Sequence, residues 1–327
     1  MSEPVAQTPP RLSVVAPVFN EEESVGPLHA RLTEALSPLP NEYEIILVND
    51  GSRDGTAEAL DAVAAGDEHV VVAHLRRNFG QSAAMQAGFD LATGEVVIAM
   101  DADLQNDPAD IPLLLAKLEE GYDVVSGWRK DRKDKWLTRV LPSNAANWLI
   151  STLTGVHLHD YGCSLKAYRR EVLADVTLYG ELHRFIPALA YWAGGTVAEV
   201  PVKHHARQFG QSKYGLSRIF RVFLDLIAVK FLLSYSTKPI RVFGQWGCLA
   251  GVLGSAILAY LAYVKLILGA DIGHRPLLLL GILLVFMAGQ FITLGLVAEL
   301  QARTYYEVRE RPVYALRRVV RRGGDGS

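Results

Sequence analysis

The sequence predicts an α/β domain with a mostly parallel sheet covered by helices on both faces, followed by a hairpin of two membrane-spanning helices. Three observations carry this. Short β-branched runs alternate with helical stretches from residue 11 to about residue 205, two long stretches near the C-terminus carry no charge, and three of the early strand candidates end in polar, acid-bearing clusters.

The strand candidates are LSVVAPV, EIILVND, VVVAHL, EVVIAM and DVVSGW. Each is short and β-branched, as strands buried on both faces are. Between them lie ESVGPLHARLTEAL, DGTAEALDAVAA and QSAAMQAGFDLA, which read as helices. Strict alternation of the two implies crossover connections and hence parallel pairing.

Residues 242–264 and 276–298 contain no charged side chain. A helix rises about 1.5 Å per residue, so about 20 apolar residues cross a hydrocarbon core. The connector KLILGADIGHR is too short for a domain, so the pair reads as a hairpin rather than as two core helices. Lys238 and Arg241 precede the first span and many arginines follow the second, which places both flanks on the cytosolic side. Upstream, GLSRIFRVFLDLIAVKFLLS sets Arg218, Arg221 and Asp225 on one helical face, consistent either with an interfacial helix or with an amphipathic core helix. The resulting division is a flexible N-terminus (1–10), a catalytic domain (11–214), an amphipathic segment (215–237), the hairpin (238–302) and a basic tail (303–327).

Composition narrows the classes further. Half of the 327 residues are hydrophobic and the formal net charge is −2, with acids concentrated in residues 42–68 and arginines in the tail. The two cysteines, Cys163 and Cys248, form no disulfide or zinc pattern. The first eleven residues lack the apolar stretch of a secretory signal, so the N-terminal region is expected in the cytosol. No GxxxxGK[ST] occurs and no GxGxxG follows the first strand, which argues against an NTPase or a dinucleotide enzyme.

In open α/β sheets, ligands bind beyond the carboxyl ends of the strands. Here those ends are Pro17-Val18-Phe19-Asn20-Glu21-Glu22, Asn49-Asp50-Gly51-Ser52 and Asp101-Ala102-Asp103-Leu104-Gln105. Acids gathered on one rim raise each other's pKa unless a counter-charge intervenes. Asp-x-Asp with a glutamine two residues on offers the hard oxygens that Mg²⁺ or Mn²⁺ prefers, with substrate phosphates completing the shell. Asp-x-Asp alone is weak evidence, since most examples are solvated turns or caps; its place after a buried strand strengthens it. Arg129, Arg132, Arg139 and Arg207 are candidates for phosphate contact, although Arg132 lies in the charged loop KDRKDKW and reads as a surface residue.

PVFNEEE, VNDGSRDGT, RRNFGQSAAMQAG, DADLQNDP, SGWR, HDYGCSLKAYRREV and HHARQFGQSKYG occur in that order. In this they resemble the family-2 glycosyltransferases of GT-A fold, and more narrowly the polyprenyl-phosphate glycosyltransferases, the group that includes dolichol-phosphate mannose synthases. The resemblance covers about residues 11–235, and the hairpin is similar to that of membrane-anchored bacterial members. It implies Asp103 and Gln105 at a Mg²⁺ or Mn²⁺ ion, with Asp101 near both metal and nucleotide. It implies Pro17, Asn20, Glu21 and Asp50 around the nucleoside. Arg129, Arg139, Ser143 and Arg207 would hold donor and acceptor phosphates, and Ser212 and Lys213 would close over the site. The QxxRW of processive polysaccharide synthases is absent; His204 to Arg207 stand in that region, which disfavours long-chain synthesis.

The implied reaction is inverting transfer of one sugar from a nucleotide-sugar, UDP being favoured over GDP by analogy, to an undecaprenyl or dolichyl phosphate. A phosphate monoester has a second pKa near about 6, so the nucleophile is largely deprotonated at neutral pH and a base is partly dispensable. Asp160 stands where the family places its candidate base; its other reading is to orient a neighbouring arginine or cap a turn. His204 and His205 are adjacent and point oppositely on a strand, so a structural or phosphate-contacting role for one of them is expected. Cys163 reads as a packed residue. A non-catalytic membrane scaffold or transport-associated protein with a glycosyltransferase-like domain, and a nucleotidyltransferase, are the competing classes. The sugar is open, and a tetramer is suggested only by the resemblance.

Overall fold

The computed structural model describes residues 11–40, 42–130, 147, 150–152, 154–174, 176, 178, 182–206, 239–273, 275–307, 313–322 and 324–326. The chain divides into two compact units, Met1–Leu226 with Pro312–Ser327, and Ile227–Arg311.

The first unit is built on a nine-stranded sheet. Its strands are β1 (Leu12–Val18), β2 (Tyr43–Asn49), β3 (Val70–Leu75), β4 (Val96–Ala99), β5 (Val124–Trp128), β6 (Lys166–Arg169), β7 (Val197–Pro201), β8 (Leu316–Arg321) and β9 (Gly324–Gly326), in the spatial order β7-β5-β6-β4-β1-β2-β3-β8-β9. The five strands expected from sequence are present to within a residue at each end. The centre, β4-β1-β2-β3, is parallel as expected. β6 and β8 run against the rest, which makes the whole sheet mixed.

Residue parity assigns the two faces. Leu12, Val14, Ala16 and Val18 of β1, with Ile45, Leu47, Val70 and Val72, lie in the same core as Val25, Leu28, Leu32 and Leu36 of α1 (Glu22–Leu36), Leu60 and Ala64 of α2 (Thr56–Gly66), and Ile111, Leu114 and Leu118 of α4 (Ile111–Glu119). The α1 set recurs at three- and four-residue spacing, the stripe of a helix lying on a sheet. On the opposite face α3 (Gln81–Leu91) packs closely, because a Cβ at Gly88 would overlap the Val15 side chain. Short helices α5 (Arg170–Ala174) and α6 (Ile186–Trp192) complete the unit.

The tail holds a surprise. Residues 303–327 read from sequence as a basic tail, and within them Leu316–Arg321 pairs antiparallel with β3. Charged side chains on an edge strand dilute the alternation that would mark it and protect the edge from aggregation.

Among the described residues, the second unit consists of α7 (Pro239–Leu266) and α8 (Pro276–Glu307). Their apolar windows, Phe243–Leu266 and Pro276–Ala298, have mean hydropathies of 1.8 and 2.5, and only 22% and 11% of those windows is buried. Both helices are long and apolar enough to cross a membrane. Small residues let their backbones approach: a Cβ at Gly254 would lie 2.9 Å from the Gly281 carbonyl oxygen, and Gly251 faces Ala288. The segment expected to be amphipathic, 215–237, lies outside the described residues.

Candidate active site

Three loops converge at the carboxyl end of the parallel centre. The loop after β1 turns at Asn20 (φ 54°), whose N–H donates to Ser52 Oγ at 3.0 Å and whose Oδ1 accepts from Arg53 N at 2.9 Å. Glu21 N donates to Thr56 Oγ1 at 2.9 Å, and Glu21 Oε2 accepts from Ser24 Oγ at 2.8 Å. The loops after β1 and β2 are thus tied into one ledge, with Pro17 at its base.

Asp50 follows β2 and is buried. Its two carboxylate oxygens accept from Phe79 N (2.7 Å) and Gly80 N (3.0 Å), which fixes the loop between β3 and α3. Burial raises its pKa, outweighing those two bonds and the nearby Arg77. Gly51 (φ 64°) is required beside it, since a Cβ would collide with the backbone of Arg77 and Asn78.

Asp101, Asp103 and Gln105 form the loop after β4. Leu104 between the last two has φ 61°, a strained conformation for a non-glycine residue, and strain of this kind concentrates at functional loops. Gln81 Nε2, from the first turn of α3, donates to Asp101 Oδ1 at 2.7 Å. Ser164 Oγ accepts from Asp101 N at 3.2 Å and from Asn106 Nδ2 at 2.7 Å. Asp103 is only 8% exposed, and its Oδ1 accepts from Gln105 N at 3.2 Å. Burial and then the Asp103 charge push Asp101 up to about 6, against the pull of Ser164, Arg129 and Arg184.

That balance favours a cation beside the pair. Among the described residues no group of three or more His, Cys, Asp or Glu forms a metal cluster. Two neighbouring carboxylates with an excess of negative charge suit Mg²⁺ or Mn²⁺, which take one or two carboxylates and leave the remaining positions to substrate phosphate and water. The residues present fit such an ion.

Arg129 directly follows β5 and meets Asp160 in a fork: Nε to Oδ2 is 2.7 Å and Nη2 to Oδ1 is 3.0 Å. Asp160 is 2% exposed and also accepts from Gly162 N at 3.1 Å. Burial works against the Arg129 charge, but the Asp160 carboxylate more than offsets it and raises the pKa further. Of the two sequence readings of Asp160, this geometry matches the one that orients an arginine.

Nearby, Lys166 is buried with Nζ donating to the carbonyls of Cys163 (2.5 Å) and Tyr161 (3.3 Å); burial lowers its pKa to about 8. Cys163 is buried and its thiol is pushed up to about 11, which makes it an inert packed residue. His204 forms an isolated antiparallel bridge with Asn106, while His205 N donates to Gln105 O at 2.8 Å and its Nε2 pairs with Asp107 at 3.2 Å. His204 and His205 are therefore laid along the Asp101–Asp107 loop.

The structure thus brings Pro17, Asn20, Glu21, Asp50, Asp101, Asp103, Gln105, Arg129 and Asp160 to the carboxyl rim of one sheet. Arg139, Ser143, Arg207, Ser212 and Lys213 lie outside the described residues. Gln81, Ser164, Lys166 and Arg184 were missed from sequence, although the first three stand inside quoted motifs; their roles depend on contacts across the fold.

Comparison with known proteins agrees with this geometry. Residues 13–177 match glycosyl transferase family 2. The chain is 49% identical over 315 residues to a dodecaprenyl-phosphate galacturonate synthase of Rhizobium johnstonii, covering 94% of this chain and 92% of the relative. It is 40% identical to an undecaprenyl-phosphate 4-deoxy-4-formamido-L-arabinose transferase of an Enterobacter species, covering 96% and 94%. In fold it is similar to a glucosyl-3-phosphoglycerate synthase of Mycobacterium tuberculosis, solved with Mn²⁺ and UDP-glucose, at 20% identity and a TM-score of 0.50 over 68% of this chain and 79% of that one. A GT-A sheet with an Asp-x-Asp rim, a family match across half the chain and two near-full-length relatives give one result: the chain belongs to glycosyl transferase family 2.

Proposed function

We propose that this enzyme transfers one sugar from a nucleotide-sugar to a polyprenyl phosphate at the cytosolic face of the membrane, inverting the anomeric centre. The observation that carries the reading is the extent of the similarity to the two polyprenyl-phosphate transferases. It covers 94% and 96% of this chain, too much to leave the hairpin out. An isoprenoid tail leaves the bilayer only at a cost of about 0.8 kcal/mol per exposed CH₂, so the active site is brought to the lipid by the two spans.

In this reading the ledge formed by Pro17, Asn20, Glu21 and Asp50 receives the nucleoside. Asp101, Asp103 and Gln105 would hold Mg²⁺ or Mn²⁺, which when bound would neutralise charge on the donor diphosphate. Gln81 orients Asp101 so that its second oxygen is left for that role. Arg129 presents its guanidinium to a phosphate, and Asp160 fixes its direction as a positioning residue rather than as the base. The acceptor phosphate is largely deprotonated near neutral pH, so a protein base is partly dispensable. Arg139, Ser143 and Arg207 are proposed phosphate contacts, and Ser212 and Lys213 a closing loop. The donor we infer is a UDP-sugar, with UDP-galacturonate first among those to try because of the Rhizobium relative's name.

The test is a donor screen on the full chain in detergent, with a short polyprenyl phosphate and Mn²⁺ or Mg²⁺. UDP- and GDP-sugars are compared by the lipid-linked product. A metal-dependent product from one donor supports the reading. An intact protein that yields none from any donor favours a non-catalytic scaffold.

A further inference from the structure

The register of β2, β3 and β8 places three polar residues in a row. Asn49 pairs with His74 across β2 and β3, and His74 pairs with Arg318 across β3 and β8. The row two residues inward is apolar, Leu47 beside Val72 beside Val320, and packs under α2. Asp61 of α2 stands over the polar row.

The hydrogen bonds run through it without a break. Arg318 Nη2 donates to Asp61 Oδ2, and His74 Nε2 pairs with Asp61 Oδ1 at 2.9 Å. Asn49 Nδ2 lies 3.0 Å from His74 Nδ1, Asn49 Oδ1 accepts from Ser52 N at 2.9 Å, and Ser52 Oγ accepts from Asn20 N at 3.0 Å. The chain of donors assigns the His74 tautomer: Asn49 must present its N–H₂ to Nδ1, so the ring proton sits on Nε2, facing Asp61. His74 and Asn49 are each 4% exposed, so neither can exchange its partner for water at little cost. The row forms one wall of a cleft of about 670 Å³, which Asn49, Ser52, Asp61, His74 and Arg318 all line.

β8 is held in place by more than its ladder. Arg76 N donates to Ala315 O at 3.0 Å, Arg76 Nε to Leu316 O at 3.1 Å, and Tyr314 Oη to Asp90 Oδ2 at 2.8 Å. A strand that follows the second membrane helix in sequence is thereby a fixed part of the catalytic sheet.

We propose that His74 and Asp61 are positioning residues for the donor-binding loop, and that Arg318 from the post-hairpin strand completes the relay that sets Ser52 and Asn20. This rests on the reading above that Asn20 contacts the nucleotide donor. An Asn49 amide that loses its His74 acceptor can rotate and release Ser52 N, and the Asn20 turn, already in a strained conformation, loses its anchor.

The test measures UDP affinity in the presence of Mn²⁺ by calorimetry on the full chain in detergent, with the thermal midpoint recorded for each variant. Asn20→Ala is the control for the donor-loop reading. Two histidine substitutions split the relay. The amide of His74→Asn reaches the Nδ1 position and keeps an acceptor for Asn49; that of His74→Gln reaches the Nε2 position and keeps only the Asp61 partner. The expected result is UDP binding weakened about threefold to tenfold by His74→Gln, as for one lost buried hydrogen bond, less by Arg318→Ala, and largely rescued in His74→Asn, with unfolding midpoints close to one another. If Asn20→Ala binds UDP as the wild type does, the donor-loop reading fails and takes the proposal with it. If Asn20→Ala weakens binding but His74→Gln and Arg318→Ala do not, the donor-loop reading stands and the relay is overturned. Equal losses in His74→Asn and His74→Gln also overturn it, because they would mark a packing role.

Discussion

Two carboxylates at opposite ends of the same sheet, Glu44 buried and Asp101 half-buried, behave in opposite ways. Glu44, at the amino end of β2, accepts from Ser13 Oγ (2.6 Å), Thr93 N (2.8 Å) and Thr93 Oγ1 (2.7 Å). Burial alone would raise its pKa, but those bonds outweigh it and the net shift is downward. Asp101, at the carboxyl rim, is met by the Gln81 amide and drawn down by Ser164, Arg129 and Arg184, but burial and a second carboxylate as neighbour outweigh them and it is pushed up. One carboxylate is satisfied by the fold that holds it; the other is left with charge the fold does not balance. A structural acid is neutralised by its own protein, whereas a ligand-binding acid is kept short of partners until the ligand arrives.

The sharpest way to break this comparison is to remove charge from the rim. Asp103→Asn is expected to lower transfer by about a thousandfold or more, the scale of losing metal-assisted stabilisation of the leaving diphosphate. Asp160→Asn should retain clearly more activity, about one-tenth to one-hundredth of wild type, because an amide can still accept from Arg129. Steady-state rates of the lipid-linked product separate the two, and equal near-complete losses would return Asp160 to the role of base.

Arg129→Ala tests the pair from the other side. It strands the Asp160 carboxylate in a buried setting and is expected to cost about 3–5 kcal/mol of stability besides its effect on turnover. Denaturant melts of this variant against the double variant Arg129→Ala/Asp160→Ala check it, since removing both partners should recover part of the loss. Glu44→Gln, by contrast, should cost about 1–3 kcal/mol and leave transfer kinetics unchanged.

pH sharpens the contrast with smaller effects of opposite sign. Glu44 titrates lower in the fold than its ordinary 4.5, so its contribution is present above that pH and is lost as pH falls through the folded value. Asp101 titrates near 6 in the fold against an ordinary 3.8, so the metal-free protein is favoured below about pH 4 and loses that advantage as pH rises to about 6. Thermal midpoints of metal-free protein across this range should lose the upper slope in Asp101→Asn and the lower slope in Glu44→Gln.

Much of this was legible locally. The parallel centre was readable because each strand is a short β-branched run and each covering helix has a helical stripe. Asp101 and Asp103 were readable because they sit directly after such a run. What could not be read was pairing at a distance. Arg129 and Asp160 meet across a sequence separation of 31, and the carboxylate's role changes with that meeting. β8 hid because Arg317, Arg318 and Arg321 make an edge strand look like a solvated tail, and His74 read as one more strand residue until Arg318 and Asp61 stood beside it. Local periodicity shows where elements form; a polar residue's role follows from which element it meets.

The measurement that tests the central claim most directly is the Mn²⁺ stoichiometry of the full chain by calorimetry in the presence of UDP, for wild type, Asp103→Asn and Glu44→Gln. One ion per chain in wild type and Glu44→Gln, and none in Asp103→Asn, is the expected result. Equal Mn²⁺ binding in all three, or none in the wild type, would contradict the assignment of the rim carboxylates as the cation site.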